Sequence, residues 1–244
     1  MRKLTAVILM SLAASGAYAD DQSPNKFGGD VYITSDYVFR GISNSDNKPA
    51  VQGDVTYSYT PLGIYASLWA SSIDFSATDD PIETDWTVGI GGNFFNTGLT
   101  YDLGNVYYYY PGNANHTHPD YNYDEAYFGL DYTFDKVQFS PDVGAKVYYS
   151  PDFFGEDGSA YYIDSHVGLS LPYDFTLTGH VGYQNVDGHK TTTGYDYVDY
   201  KVDLSKEVFG FGLDVAYTAV DDQGKVCGST LCGDKVFFTI SRGF

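Results

Sequence analysis

From about residue 27 onward, apolar and polar side chains alternate in stretches of about ten residues, the period-two pattern of strands with one apolar face. No stretch keeps a helical period. In segment 27–40, Val31, Ile33, Tyr37 and Phe39 fall on one face and Asp30, Tyr32, Thr34, Asp36 and Arg40 on the other. The same reading predicts strands over 50–60, 63–73, 83–95, 98–110, 121–134, 137–149, 161–171, 175–186, 195–205, 209–220 and 235–244. Segments of this length cross a bilayer as tilted strands. An even number, about twelve, suits a bacterial barrel whose ends lie on the same side. Segment 63–73 is apolar in part on both faces, so Trp69 has no predicted side.

The predicted connections alternate between short and long. Pro61-Leu62, Asn96-Thr97, Asp135-Lys136, Pro172-Tyr173-Asp174 and Lys206-Glu207-Val208 read as tight turns. Those around 41–49, 74–82, 111–120, 150–160, 187–194 and 221–234 are longer and rich in Gly, Asp, Asn and Pro. Outer-membrane barrels keep short turns in the periplasm and long loops outside. The predicted fold class is therefore all-β, an antiparallel transmembrane β-barrel of about 12 strands with both termini periplasmic. The rival is a secreted β-sandwich, in which the apolar faces would bury each other.

Turns also set which residues face each other. If Phe134 opposes Val137 across Asp135-Lys136, then Glu125 opposes Lys146 and Tyr123 opposes Tyr148. If Leu171 opposes Phe175, then His166 opposes His180.

Both chain ends agree with export to the outer membrane. Arg2 and Lys3 precede an apolar run over 4–14 and then Ala17-Tyr18-Ala19, the layout of a cleavable signal, with cutting expected after Ala19. The expected organisation is a signal over 1–19 and a single barrel domain over 20–244, with a polar lead over 20–26. The last strand ends in Phe244, with Ile240, Phe238 and Val236 on its face and Phe237 as an apolar exception on the other. This pattern resembles the signal read by the barrel-assembly machinery, so Phe244, Ile240 and Phe238 are the expected assembly signal. Arg242 departs from it, since an aromatic is commoner there.

The formal net charge is −19, with 13 basic and 32 acidic residues. Because two of the bases lie in the signal, the remaining chain is more acidic still. Such a chain is repelled by nucleic acid. An aromatic content of 18%, with 25 Tyr and 16 Phe, argues against acidic disorder and for membrane interfaces. The two cysteines, Cys227 and Cys232, are expected to form one small disulfide.

On the predicted lumenal face, carboxylates outnumber bases. The expected pore-lining residues are Asp30, Tyr32, Asp36, Arg40, Asp54, Glu83, Asp85, Asp102, Glu125, Asp131, Asp142, Lys146, Asp164, His166, His180, Asp199, Lys201, Asp203 and Asp214. A wet lumen so lined concentrates cations. The alternative is an internal plug of salt bridges and water. Asp36 and Arg40, about 13 Å apart along one strand, would each need a partner on a neighbouring strand.

His166, His180 and Asp164 on one wall, or His116 and His118 with Asp120 in an outer loop, have residue types that bind metals weakly. Plain hydrogen bonding is the blander reading of both, and no metal or other cofactor is expected. Ser165 and His166 face opposite sides of their strand, a poor geometry for a lipid hydrolase. No phosphate loop or cofactor motif is present, and no enzymatic activity is expected.

Segment 34–58, TSDYVFRGISNSDNKPAVQGDVTYS, followed by GIYASLWASSIDF and by YNYDEAYFGLDY at 121–132, resembles the TorF-type putative porin family. The resemblance extends to the terminal Phe and is most specific in SDYVFRGIS. It implies an outer-membrane, porin-like barrel, and it brings no substrate or catalytic residues. The expected function is a channel for passive diffusion of small, preferentially cationic or neutral solutes. The expected partners are outer-membrane lipid, the barrel-assembly machinery and small solutes. The alternatives are a structural or adhesive barrel whose outer loops bind a ligand and an outer-membrane lipid-modifying enzyme.

Overall fold

In the computed structural model, the described residues are 23–74, 81–94, 97–113, 120–188, 196–221, 227 and 230–244. The predicted signal, His116, His118 and the Asn96 half of one predicted turn lie outside them. Strands β1 (Asn25–Thr34), β4 (Ala50–Tyr59), β5 (Ile64–Ser72), β6 (Ile82–Asn93), β7 (Leu99–Tyr109) and β8 (Tyr123–Thr133) form one half of the wall. Strands β9 (Asp142–Ser150), β10 (Ala160–Leu171), β11 (Phe175–Val186), β12 (Tyr197–Val208), β13 (Phe211–Val220) and β14 (Lys235–Gly243) form the other. Each pairs antiparallel with its sequence neighbour, and β1 pairs with both β4 and β14. The result is a closed barrel of 12 strands. Closure gives each strand a partner on both sides, which removes the long open edges of a flat sheet.

Alternation along the strands gives the wall two unlike faces. Val51, Val88, Phe128, Val147, Val202 and Ile240 are exposed on the outside. Asp30, Glu83, Glu125, Asp164, Asp199 and Asp203 are buried inside. An apolar exterior around a polar interior is the reverse of a water-soluble sandwich. Trp69 lies between Asp54 and Asp85 in the ladders and packs on the interior Tyr37 ring, so it faces inward. Phe237 is buried, whereas Val236, Phe238, Ile240 and Phe244 are exposed.

The predicted first strand is too long. β1 stops at Thr34, and residues 35–49 turn inward instead of continuing along the wall. Within them β2 (Val38–Phe39) and β3 (Ile42–Ser43) form a small hairpin with Arg40 and Gly41 at its tip, both at positive φ (47° and 78°). Tyr37 and Phe39, predicted to lie on the outer face with Val31 and Ile33, are therefore interior residues. Tyr37 is 4% exposed, and Phe39 packs beside Tyr108.

Two short turns also differ from prediction. Between β8 and β9 the chain does not reverse at Asp135-Lys136. Phe134 N–H donates to Pro141 O, and the connection contains Phe139 and Ser140 at positive φ. Val137–Pro141 thus belong to the turn. The register moves by four residues: Lys146 opposes Gly129, and Tyr148 opposes Tyr127. Glu125 does not oppose Lys146, and Tyr123 does not oppose Tyr148. A slip by an even number preserves the face of every side chain. Between β12 and β13 the turn is Phe209-Gly210, both at positive φ, and not Lys206-Glu207-Val208. The β10–β11 turn matches expectation, with Leu171 opposite Phe175 and His166 opposite His180.

Candidate functional site

The interior divides into two layers along the barrel axis. At the end carrying the long loops, the β2–β3 hairpin crosses the lumen. Arg40 follows β1 in sequence but reaches the opposite wall, where its two terminal nitrogens donate to Glu125 of β8 at 2.9 and 2.6 Å. Nη1 also donates to Gln184 of β11 at 3.0 Å. The guanidinium lies over the Tyr148 and Tyr162 rings, 5.1 and 4.1 Å from their centroids. Tyr108 adds a hydroxyl bond to Glu125 at 3.0 Å. Glu125 is fully enclosed. This is a bidentate, stacked geometry that Arg makes and Lys does not.

The hairpin is held at its other edge by the last loop. Asp36 accepts Ser43 Oγ at 2.5 Å and Ser45 Oγ at 3.1 Å, and Lys235 Nζ lies 3.4 Å away. Lys235 also bonds Asn47. Asp36 and Arg40 therefore share no strand; both belong to the inward segment. Ser43 N–H donates to Leu231 O at 2.9 Å, and Ile42 packs with Tyr197, Val220 and Cys232. Cys227 and Cys232 are joined in a disulfide. A Cβ on Gly41 would collide with Val220 and meet Asp199 Cβ at 2.9 Å, so the tip fits only as glycine.

Beside the hairpin the wall carries uncompensated acid. Glu83 accepts Tyr110 Oη at 2.8 Å, whereas both Asp85 oxygens are enclosed and meet no hydrogen-bond donor among the described residues. His180 stands between two carboxylates, Nδ1 2.9 Å from Asp164 and Nε2 3.0 Å from Asp199.

At the short-turn end the interior opens. The Asp102 and Lys146 side chains are 26% and 23% exposed and pair at 2.7 Å. Lys201 is 30% exposed and approaches Asp203 at 3.4 Å. Tyr32 donates to Asp54 at 2.8 Å, and Asp30, opposite Asp54 in the ladder, is buried. Asp214 is half-buried, across from Ser205. Asp131, Asp142 and His166 gather on β8, β9 and β10. His166 thus joins a different pair of carboxylates from His180, although the two rings belong to directly opposed residues.

The crossing hairpin and its anchors were not predicted. Length did not mark it, since the predicted segment 121–134 is equally long and stays in the wall as β8. The signal available was the turn-prone Gly41 directly after Arg40, with Asp36 shortly before it.

Among solved structures, the chain is similar to one described as the NanC porin, with 14% identity, 87% of this chain and 97% of that chain covered, and a TM-score of 0.57. The COG4313 outer membrane channel from Pseudomonas putida F1 matches at 13% identity, covering 89% and 95% of the two chains, with a TM-score of 0.47. Outer-membrane expressed OmpT of Vibrio cholerae matches at 9% identity over 90% and 97%, with a TM-score of 0.37. The NanC likeness is one of fold: a closed β-barrel of the porin kind. No curated protein sequence matches the chain. Residues 18–244 match the family described as "Bacterial protein of unknown function (Gcw_chp)", and the chain belongs to that family.

Proposed function

We propose that the protein is a TorF-type, porin-like channel of the Gram-negative outer membrane that passes small cationic or neutral solutes and is narrowed by its own β2–β3 hairpin. In this reading a signal over 1–19 is removed and residues 20–244 form one domain. Both termini face the periplasm, and the last strand, ending in Phe244, is presented to the barrel-assembly machinery. The partners are lipid on the apolar wall and solutes within.

The observation that carries the reading is the charge of the interior wall. Asp30, Asp54, Asp102, Asp131, Asp142 and Asp214 stand around the open half, where Lys146 and Lys201 are the neighbouring bases. A barrel of this size holds any passing ion within about one Debye length of the wall at physiological salt, so the acid excess enriches cations. The likeness to a barrel described as a porin supports the same reading. Under a potassium chloride gradient in a planar bilayer, the reversal potential is expected to show cation preference that shrinks as salt rises. Asp102→Asn and Asp142→Asn should weaken it, and outward-facing Val143→Thr should not. Anion preference would overturn the proposal.

A second reading, a closed structural barrel with binding loops, is favoured by the hairpin that fills the loop-side layer. Absence of conductance from both the native protein and an Arg40 variant would select it.

A further inference from the structure

We propose that Asp131, Asp142 and His166 form a binding site for a divalent transition-metal cation of the zinc type, set in the open half of the lumen. Three consecutive strands each supply one ligand, and the three donor atoms lie within 4.8 Å of one another. His166 Nε2 is 3.2 Å from Asp142 Oδ1 and 3.6 Å from Asp131 Oδ1. Ligands bound at the usual zinc distances of about 2.0–2.2 Å stand roughly 3.2–3.6 Å apart around a tetrahedron. The two His166 separations are therefore close to what a metal imposes, and the Asp131 and Asp142 donors lie within 4.8 Å of each other.

Two features beyond the three ligands fit the same use. Thr133 Oγ1 donates to Asp142 Oδ2 at 2.5 Å, which engages one carboxylate oxygen and leaves Oδ1 directed at His166. Support of this kind from a neighbouring hydroxyl orients metal ligands. Gly144, directly opposite both Asp131 and His166 in the ladders, supplies the space: a Cβ there would collide with Asp131 Oδ1 and His166 Cε1. The nearby Lys146 ammonium is engaged by Asp102 at 2.7 Å. With side-chain exposures of 5%, 13% and 23% for His166, Asp142 and Asp131, the site is enclosed on the wall side and open to the lumen. One imidazole and two carboxylates suit zinc and its first-row neighbours better than magnesium, which takes oxygen ligands in octahedral geometry. The fourth position, toward the lumen, is left for water or solute.

The site does not depend on the channel reading, because binding can be read without conductance. The full barrel, refolded in detergent, is titrated calorimetrically with zinc chloride and, in parallel, with magnesium chloride. One zinc per barrel is expected, bound at least tenfold more tightly than magnesium. His166→Ala and Asp142→Asn should each weaken it at least tenfold. Gly144→Ala removes no ligand but fills the space, and should weaken zinc to a similar degree. Each variant is first checked for the folded barrel's resistance to dodecyl sulfate, so that a failure to fold is recognised. A double His116→Ala, His118→Ala variant should bind zinc like the native chain. The proposal is overturned by absence of saturable binding, by equal zinc affinity in the native, His166→Ala and Gly144→Ala barrels, or by loss confined to the loop-histidine variant.

Discussion

Arg40 and Glu125, 85 positions apart in sequence, form a bidentate ion pair across the inside of the barrel, 8% and 0% exposed as residues. The pair fixes the inward hairpin to the wall opposite its own strand. Removing one partner of such a pair leaves a buried charge without compensation, at a cost of about 3–5 kcal/mol. Arg40→Ala is therefore expected to lower the denaturant midpoint sharply and, in a bilayer, to raise conductance as the hairpin loosens. Arg40→Met with Glu125→Gln, which removes both charges, should recover most of the stability and keep the raised conductance. Equal stability of Arg40→Ala and native protein would mean that the hairpin is held elsewhere.

The position of that pair shows what the sequence conveyed and what it hid. SDYVFRGIS, the stretch that carries the family resemblance, is the inward hairpin and not wall. Its alternation is genuine, since Tyr37 and Phe39 do share an environment, but that environment is the barrel interior. Period-two patterning distinguishes two faces; it does not say whether the apolar one meets lipid or a lumenal tyrosine such as Tyr108. The wall strands were legible because each has one apolar outer face and one face in a polar interior, the condition under which alternation is strict. Arg40's partners Glu125, Gln184, Tyr148 and Tyr162 come from four strands, and no local pattern specifies that convergence.

Register was legible where the turn residues left a single way to reverse. Pro172-Tyr173-Asp174 did so, and His166 stands opposite His180. The β8–β9 connection misled because Val137 and Phe139 continue the alternation through the turn. Cysteines at 127 and 148 are expected to cross-link in the folded barrel, and cysteines at 123 and 148 are not. The converse result would restore a two-residue turn at Asp135-Lys136.

Asp85 offers a test of how dry the loop-side layer is. It is 2% exposed, and neither carboxylate oxygen has a hydrogen-bond donor among the described residues. A buried acceptor without a donor costs about 1–3 kcal/mol, and more when charged. Asp85→Asn keeps the shape and removes the charge, so it should raise the unfolding midpoint rather than lower it. Glu125→Gln, which takes the counter-charge from Arg40, should do the opposite. If Asp85→Asn is destabilising, the carboxylate has a function in the native state, such as holding a bound cation beside Glu83.

The unequal connections at the two ends support the proposed orientation and make it testable. The β10–β11 and β12–β13 turns are two or three residues long, whereas the chain between β13 and β14 spans 221–234 and contains the disulfide. Long connections on the cell surface and short ones in the periplasm are the rule for such barrels. A cysteine placed at Asn115, in the long connection between β7 and β8, should react with an impermeant maleimide on intact cells. One at Asp135, in the β8–β9 turn, should react only after the outer membrane is opened. Native Cys227 and Cys232 should stay unlabelled until a reductant is added, and because they close a loop of few residues, their reduction should lower stability by about 2–3 kcal/mol at most. Labelling at Asp135 but not at Asn115 on intact cells would invert the barrel and place the hairpin-filled layer, with Arg40, at the periplasmic mouth.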